Sequence, residues 1–105
     1  MRRIKLTVAY DGTNYCGWQI QPNGITIEEV LNQKLSKLTG EEIHVIGASR
    51  TDSGVHALGN IAVFDTNSTI PPGRFACAVN QKLPEDIVVI QSEEVPQGWH
   101  PRYQD

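Results

Sequence analysis

The sequence predicts an α+β fold of the ferredoxin-like βαββαβ class: a four-stranded antiparallel sheet with two helices on one face. Three observations predict it. Apolar residues alternate with period two in four short stretches and recur at helical spacing in two others. These stretches run strand, helix, strand, strand, helix, strand, which is the split βαβ order. Turn and stop chemistry separates them, with no repeat or linker, so residues 1–105 read as one domain with an irregular tail from about 96.

Residues 3–10 form the first strand, with Ile4, Leu6, Val8 and Tyr10 on one face and Arg3, Lys5, Thr7 and Ala9 on the other. Asp11-Gly12-Thr13-Asn14 is turn chemistry, and the stretch to Gly24 is irregular. A helix follows over 27–38. Thr26 and Glu29 fit a capping box, and Ile27, Val30, Leu31, Leu35 and Leu38 make one apolar stripe. Glu28 and Glu29 in the first turn and Lys34 and Lys37 in the last suit the helix dipole, and Gly40 is the stop. Residues 42–48 read as the second strand, with His44 on its less buried side, and 59–66 as the third. A second helix over 74–82 turns Phe75, Ala76 and Val79 inward and ends before Pro84. The Val- and Ile-rich run 86–91 is the fourth strand. The sheet face away from the helices is left open for something else to cover.

Composition excludes several classes. No apolar run approaches the roughly 18 residues of a membrane span. The N-terminal apolar stretch is too short for a signal peptide, which makes the cytoplasm the expected compartment. Cys16 and Cys77 are far apart and form neither a disulfide framework nor a zinc pattern; each reads as a small buried thiol. The net charge is −3, against general affinity for nucleic acid. Residues 1–52 carry six basic and six acidic groups, and 53–105 carry three and six. An RNA site would therefore be a local patch.

The densest cluster of reactive side chains is Arg50-Thr51-Asp52-Ser53-Gly54-Val55-His56, between two predicted strands. A loop on a rigid scaffold is where functional groups concentrate. Asp52 could serve as nucleophile or general base, kept ionised by Arg50, and Arg50 could instead grip a phosphate. The same residues are also ordinary turn material. Asp52 and His56 have helix spacing, but Gly54 opposes a helix there, and His44 and His100 lack neighbouring ligands, so no metal is expected. The stretch from Tyr10 to Pro22 holds two Tyr, one Trp and two Gln, which suits base stacking and edge hydrogen bonds. Tyr10 continues the apolar strand face and reads as core. Trp18 fits either role.

Tyr10-Asp11-Gly12-Thr13 with Gly17-Trp18-Gln19-Ile20-Gln21 resembles the first motif of the tRNA pseudouridine synthase A family, and Gly47 to Ala57 resembles its catalytic motif. Ala78 to Ile87 is similar to its Asn…Leu-Pro-x-Asp-Ile element, and Trp99-His100-Pro101-Arg102 to its aromatic-His-Ala-Arg element. Ser53 and Pro101 stand where that family usually has Ala, and Trp99 where it has Phe. The resemblance implies isomerisation of uridine to pseudouridine at positions 38–40 of the tRNA anticodon stem-loop, with Asp52 as nucleophile. It implies RNA contacts at Arg50, Thr51, His56, Trp18, Gln19 and Arg102, tRNA as partner, no cofactor, no metal, no membrane, and a homodimer for the full-length protein. Family members have two similar halves with the active cleft between them. The chain then reads as the N-terminal half of a pseudouridine synthase fold, folded but inactive alone, with an exposed sheet face that favours self-association.

An RRM-like RNA-binding module without catalysis shares the strand order. It needs aromatics on the central strands, and of these the third strand offers only Phe64. A scaffold or dimerisation module is a further reading, and it leaves Arg50-Thr51-Asp52 unexplained.

Overall fold

The computed structural model describes residues 1–18, 24–47 and 57–101. The elements are β1 (Arg2–Tyr10), α1 (Ile27–Thr39), β2 (Ile46–Gly47), β3 (Ala57–Thr66), α2 (Phe75–Asn80) and β4 (Ile87–Val95). The sheet order is β2-β3-β1-β4 with every neighbouring pair antiparallel, the ferredoxin-like arrangement.

β1 is central. Its core-facing residues Ile4, Leu6 and Val8 are fully buried and Tyr10 nearly so. They join Ala62 and Phe64 of β3 and Ile87 and Val89 of β4 in one cluster with Ile27, Leu31 and Leu35 of α1 and Phe75 and Val79 of α2. Both helices therefore cover the same sheet face. Val30, Leu38 and Ala76 pack at its margin, completing the two predicted stripes. Removing a fully buried leucine such as Leu31 would cost about 2–5 kcal/mol, because transfer and cavity terms add.

α1 begins as its sequence predicts. Thr26 Oγ1 accepts from the Glu29 N–H at 3.3 Å, and Gly40 takes the left-handed conformation at φ 74° that ends the helix. Cys77 departs from expectation. It is exposed, because on the short α2 it lies between inward-facing Phe75 and Val79 and so points away from the sheet; Cys16 is half-buried.

Three boundaries differ from the sequence pattern. The second strand was expected over 42–48, but within the described residues the ladder holds only Ile46 and Gly47. The reason is competition: the Ile43 N–H donates to Ser36 Oγ at 2.9 Å and the Val45 N–H to Asn32 Oδ1 at 2.8 Å. The segment is thus bonded to α1 side chains before it reaches the sheet. The second helix is shorter than 74–82, preceded by a 3-10 turn at Pro72–Arg74 and closed at Asn80. The Asn80 side chain leaves the helix to bond Val89 twice, Nδ2 to its carbonyl and Oδ1 from its N–H, both at 2.9 Å. β4 runs on to Val95, four residues past the apolar run, because Ser92 and Glu93 pair with Leu6 and Lys5. Ser92 is buried for a reason: its hydroxyl accepts from the Ala76 N–H and donates to the Pro72 carbonyl, securing the start of α2.

The face away from the helices is not left wholly open. Arg3 holds Asp65 through two hydrogen bonds of 2.8 and 3.0 Å, and a third, from Nη1, reaches the Trp99 carbonyl at 2.6 Å. Lys5 lies 3.3 Å from Glu93 and 5.4 Å from the Trp99 ring centre. The segment after β4 therefore folds back over this face. Among the described residues no helix is long and apolar enough to cross a membrane.

Asn80→Ala removes both bonds to Val89, whose residue is 2% exposed. The expected loss is about 1–3 kcal/mol in urea denaturation. A loss indistinguishable from zero would mean that water replaces the amide without penalty.

Candidate functional site

The topology brings three connections to one end of the sheet. Tyr10, the last residue of β1, pairs with Ala57, the first of β3, and with Ile87, the first of β4. The 11–26 connection, the 48–56 segment and the turn before β4 are therefore anchored side by side. Asp52, Arg50, Thr51 and His56, with Gly54, belong to that 48–56 segment and lie outside the described residues, as do Gln19 and Arg102. What the structure describes is how their flanks are fixed.

The 11–18 segment is tied down at every step. Asp11 caps a 3-10 turn at Gly12–Asn14, its carboxylate accepting from the Thr13 N–H at 3.0 Å and the Thr13 hydroxyl at 2.6 Å. The Asp11 N–H donates to the Asp86 carbonyl at 2.9 Å, and the Tyr15 hydroxyl donates to Asp86 Oδ1 at 2.6 Å. The Cys16 N–H reaches the Ile25 carbonyl. Gly17, at φ 89°, turns the chain so that its carbonyl and that of Trp18 accept from the Ile27 and Glu28 N–H groups at the start of α1.

Trp18 is 2% exposed and belongs to the core cluster. Its ring lies 5.8 Å from that of Tyr10, tilted by 36°. The same ring also abuts Gly47: a Cβ built there would stand 2.4 Å from Trp18 Nε1. The first and second motifs of the sequence thus meet, Trp18 of one against the first residue of the other. Arg102 is a separate matter. The segment leading to it leaves β4 at the opposite end of the sheet, where Val95 pairs with Arg3, and crosses the helix-free face by way of Trp99.

Electrostatics follow from these contacts. The Arg3 guanidinium holds the Asp65 carboxyl below the usual carboxylate range through their hydrogen bonds, partly opposed by burial. Burial first, then the bond to Asp86, raises the Tyr15 phenol well above its ordinary value. Sequence reasoning missed the Tyr15–Asp86 pair and the Arg3, Lys5 and Trp99 clasp. The only signal was Tyr15 in an aromatic-rich loop and Asp86 in the Leu-Pro-x-Asp-Ile run. Phe64 decides against the RRM-like reading. It is 2% exposed, on the helix side, edge-on to Phe75 at 5.4 Å, so it cannot stack on a nucleic-acid base.

Comparison with known proteins gives a consistent answer. The family described as tRNA pseudouridine synthase matches residues 6–104. A tRNA pseudouridine synthase A of Ruminiclostridium cellulolyticum is 57% identical over 103 residues, 98% of this chain and 42% of the relative. A protein named tRNA pseudouridine synthase A 2 of Clostridium perfringens is 55% identical, and a tRNA pseudouridine synthase A of a Thermoanaerobacter species 52%, each with the same coverage. The chain spans about 42% of the length of these relatives.

The raised Tyr15 phenol gives a pH prediction. Its folded-state value lies above its unfolded one, so the stability it contributes is fully present below pH ~10 and lost as pH rises through the folded value. Absorbance at 295 nm should show the Tyr15 phenol ionising only together with unfolding. Tyr15→Phe should remove that titration and cost about 1–3 kcal/mol at neutral pH. A Tyr15 phenol titrating near 10 in the folded chain would contradict the contact.

Proposed function

Because the chain belongs to the tRNA pseudouridine synthase family, we propose that it is the N-terminal half of an enzyme that isomerises uridine to pseudouridine in the tRNA anticodon stem-loop, at positions 38–40. Asp52 is the nucleophile. The observation that carries this reading is the meeting of the two motifs through Trp18 and Gly47, with Gly47 opposite Ala62 in β3 and β3 itself beginning at Ala57 beside Tyr10. A reactive carboxylate needs such a rigid frame around a short connecting segment.

The chemistry makes few demands on additional groups, and no cofactor or metal enters the proposal. The C1′–N1 glycosidic bond breaks, the base turns, and a C1′–C5 bond forms. The C5 hydrogen leaves to solvent and N1 gains a proton, so atoms balance. A stacked uridine is out of reach, and extruding it costs a few kcal/mol. Arg50 serves twice in this reading, stabilising the ionised Asp52 and holding a backbone phosphate or the vacated space. Thr51, His56, Gln19 and Arg102 supply further RNA contacts. With a net charge of −3 the binding site is a local patch, and affinity should fall steeply with salt. The full-length protein acts as a homodimer in the cytoplasm.

The test is tritium release from tRNA carrying 5-tritiated uridine. The chain alone should release none. Combined with the portion of the Ruminiclostridium relative that lies beyond the match, it should become active, and Asp52→Ala should lower that activity by roughly three orders of magnitude or more. Release by the chain alone, lost in Asp52→Ala, would refute the need for a second half. Activity retained in Asp52→Ala would refute the nucleophile.

A further inference from the structure

We propose that the exposed aliphatic corner formed by Val88 and Ile90 in β4 is the docking surface for the portion of the longer relatives that lies outside the match. This deepens the reading of the chain as one half of a pseudouridine synthase and rests on it for the identity of the partner.

The corner breaks the pattern of a strand with one wet face. β1 keeps that pattern, with Ile4, Leu6 and Val8 toward the helices and Arg3, Lys5 and Thr7 away from them. β4 instead opens on Ile87-Val88-Val89-Ile90, which is apolar on both faces. Ile87 and Val89 are buried in the core. Val88, opposite Ala9 of β1, is 45% exposed, and Ile90 is 57% exposed. A continuous aliphatic run is the mark of a strand covered on both faces. The pairing adds to this. Thr7 faces Gln91 while Val8 faces Val89, so Ile90 is the extra residue of a bulge. Bulges re-aim side chains, and the residue freed from the ladder here is the more exposed of the two aliphatics.

The other end of the same face shows what a covered surface looks like. There the Trp99 segment lies across it, and Val63, opposite Lys5, is fully buried. The chain's own clasp serves the Arg3 end and leaves Val88 and Ile90, toward the Tyr10 end, exposed.

Charge selects the occupant. Residues 85–95 carry four carboxylates, Glu85, Asp86, Glu93 and Glu94, and no Lys or Arg. Lys5 pairs with Glu93. Such a strand disfavours the phosphates of RNA. A second copy of the chain would set the same carboxylates against these, and like charges across an interface are costly. The fitting partner is an apolar surface with a basic rim. Since the chain spans 42% of the length of its relatives, the remaining portion of those proteins supplies a partner for it.

The test co-expresses this chain with the portion of the Ruminiclostridium relative outside the match, so that each folds beside the other. Dilution of the purified complex gives its Kd. Val88→Thr and Ile90→Thr keep β-branched side chains and so preserve the strand. Each should weaken the complex about tenfold, and the two together about a hundredfold, with kcat for tritium release by the intact complex unchanged. Cys77→Ser, on the outer side of α2, should leave Kd as it was. A double variant that binds as tightly as the original would overturn the proposal, as would an original pair that does not co-purify. A chain that dimerises alone, and stops doing so in the double variant, would assign the corner to a second copy and refute the proposed partner. Weakened tRNA binding with an unchanged Kd between the two pieces would assign it to RNA and refute it equally. If the variants fail to fold, the methyl resonances of Val88 and Ile90 in the unaltered chain decide the matter. They should shift in the complex, and unmoved methyls would sink the idea. A complex that forms through this corner yet releases no tritium would defeat the pseudouridine reading and leave the docking surface standing.

Discussion

Every placement in this fold refers back to β1, which is paired along both of its sides, to β3 and to β4. Its alternation fixes which side chains face the core, while the pairing shifts register between Val8 and Tyr10 against β3 and between Thr7 and Val8 against β4. A slip of one residue would carry Arg3 and Lys5 into the helix-facing core and expose Ile4, Leu6 and Val8. With the register locked, Tyr10 becomes the common reference for the first residues of β3 and β4. The three connections at that end inherit their positions from a single strand terminus. A rigid frame for a reactive segment thus follows from hydrophobic alternation in nine residues.

The two faces of the sheet are organised by different physics. One is covered by α1 and α2 and is almost entirely apolar. The other is organised by charge, with Arg3 on Asp65, Lys5 beside Glu93, and the segment around Trp99 drawn over it. Surface ion pairs of this kind are worth little singly, about 0–1 kcal/mol. Here Arg3 also binds the Trp99 carbonyl, so the pair with Asp65 orients a guanidinium that fastens a chain segment. Specific geometry, more than stability, is what this network adds.

The fold class was legible because the apolar pattern reports burial directly, as at Ile4, Leu6 and Val8 or at Ile27, Leu31 and Leu35. What escaped were features decided by polar groups. Asn32, Ser36 and Asn80 look like surface residues in a helical pattern, yet each diverts backbone hydrogen bonds and so moves a strand or helix boundary. β4 was underestimated because Ser92 and Glu93 find partners that alternation cannot reveal. At the candidate site, residue types and spacing pointed to Arg50, Thr51, Asp52 and His56, but not to what frames them. Trp18 fitted core or base stacking equally well until Gly47 was seen beneath its indole, a contact 29 positions away in the chain and invisible to periodicity.

The paired asparagines also bear on association. An open four-stranded sheet presents two edges, each a row of N–H and C=O groups on which a foreign strand can add. Asn32 from α1 occupies the Val45 N–H as the chain enters one edge strand, and Asn80 from α2 occupies both polar groups of Val89 on the other. Each helix thus sends one amide side chain to one border of the sheet. A strand attempting to lengthen the sheet at β4 would have to strip out an amide already matched to it. At the β4 border, growth by edge-to-edge pairing is thus opposed by one helix-borne amide.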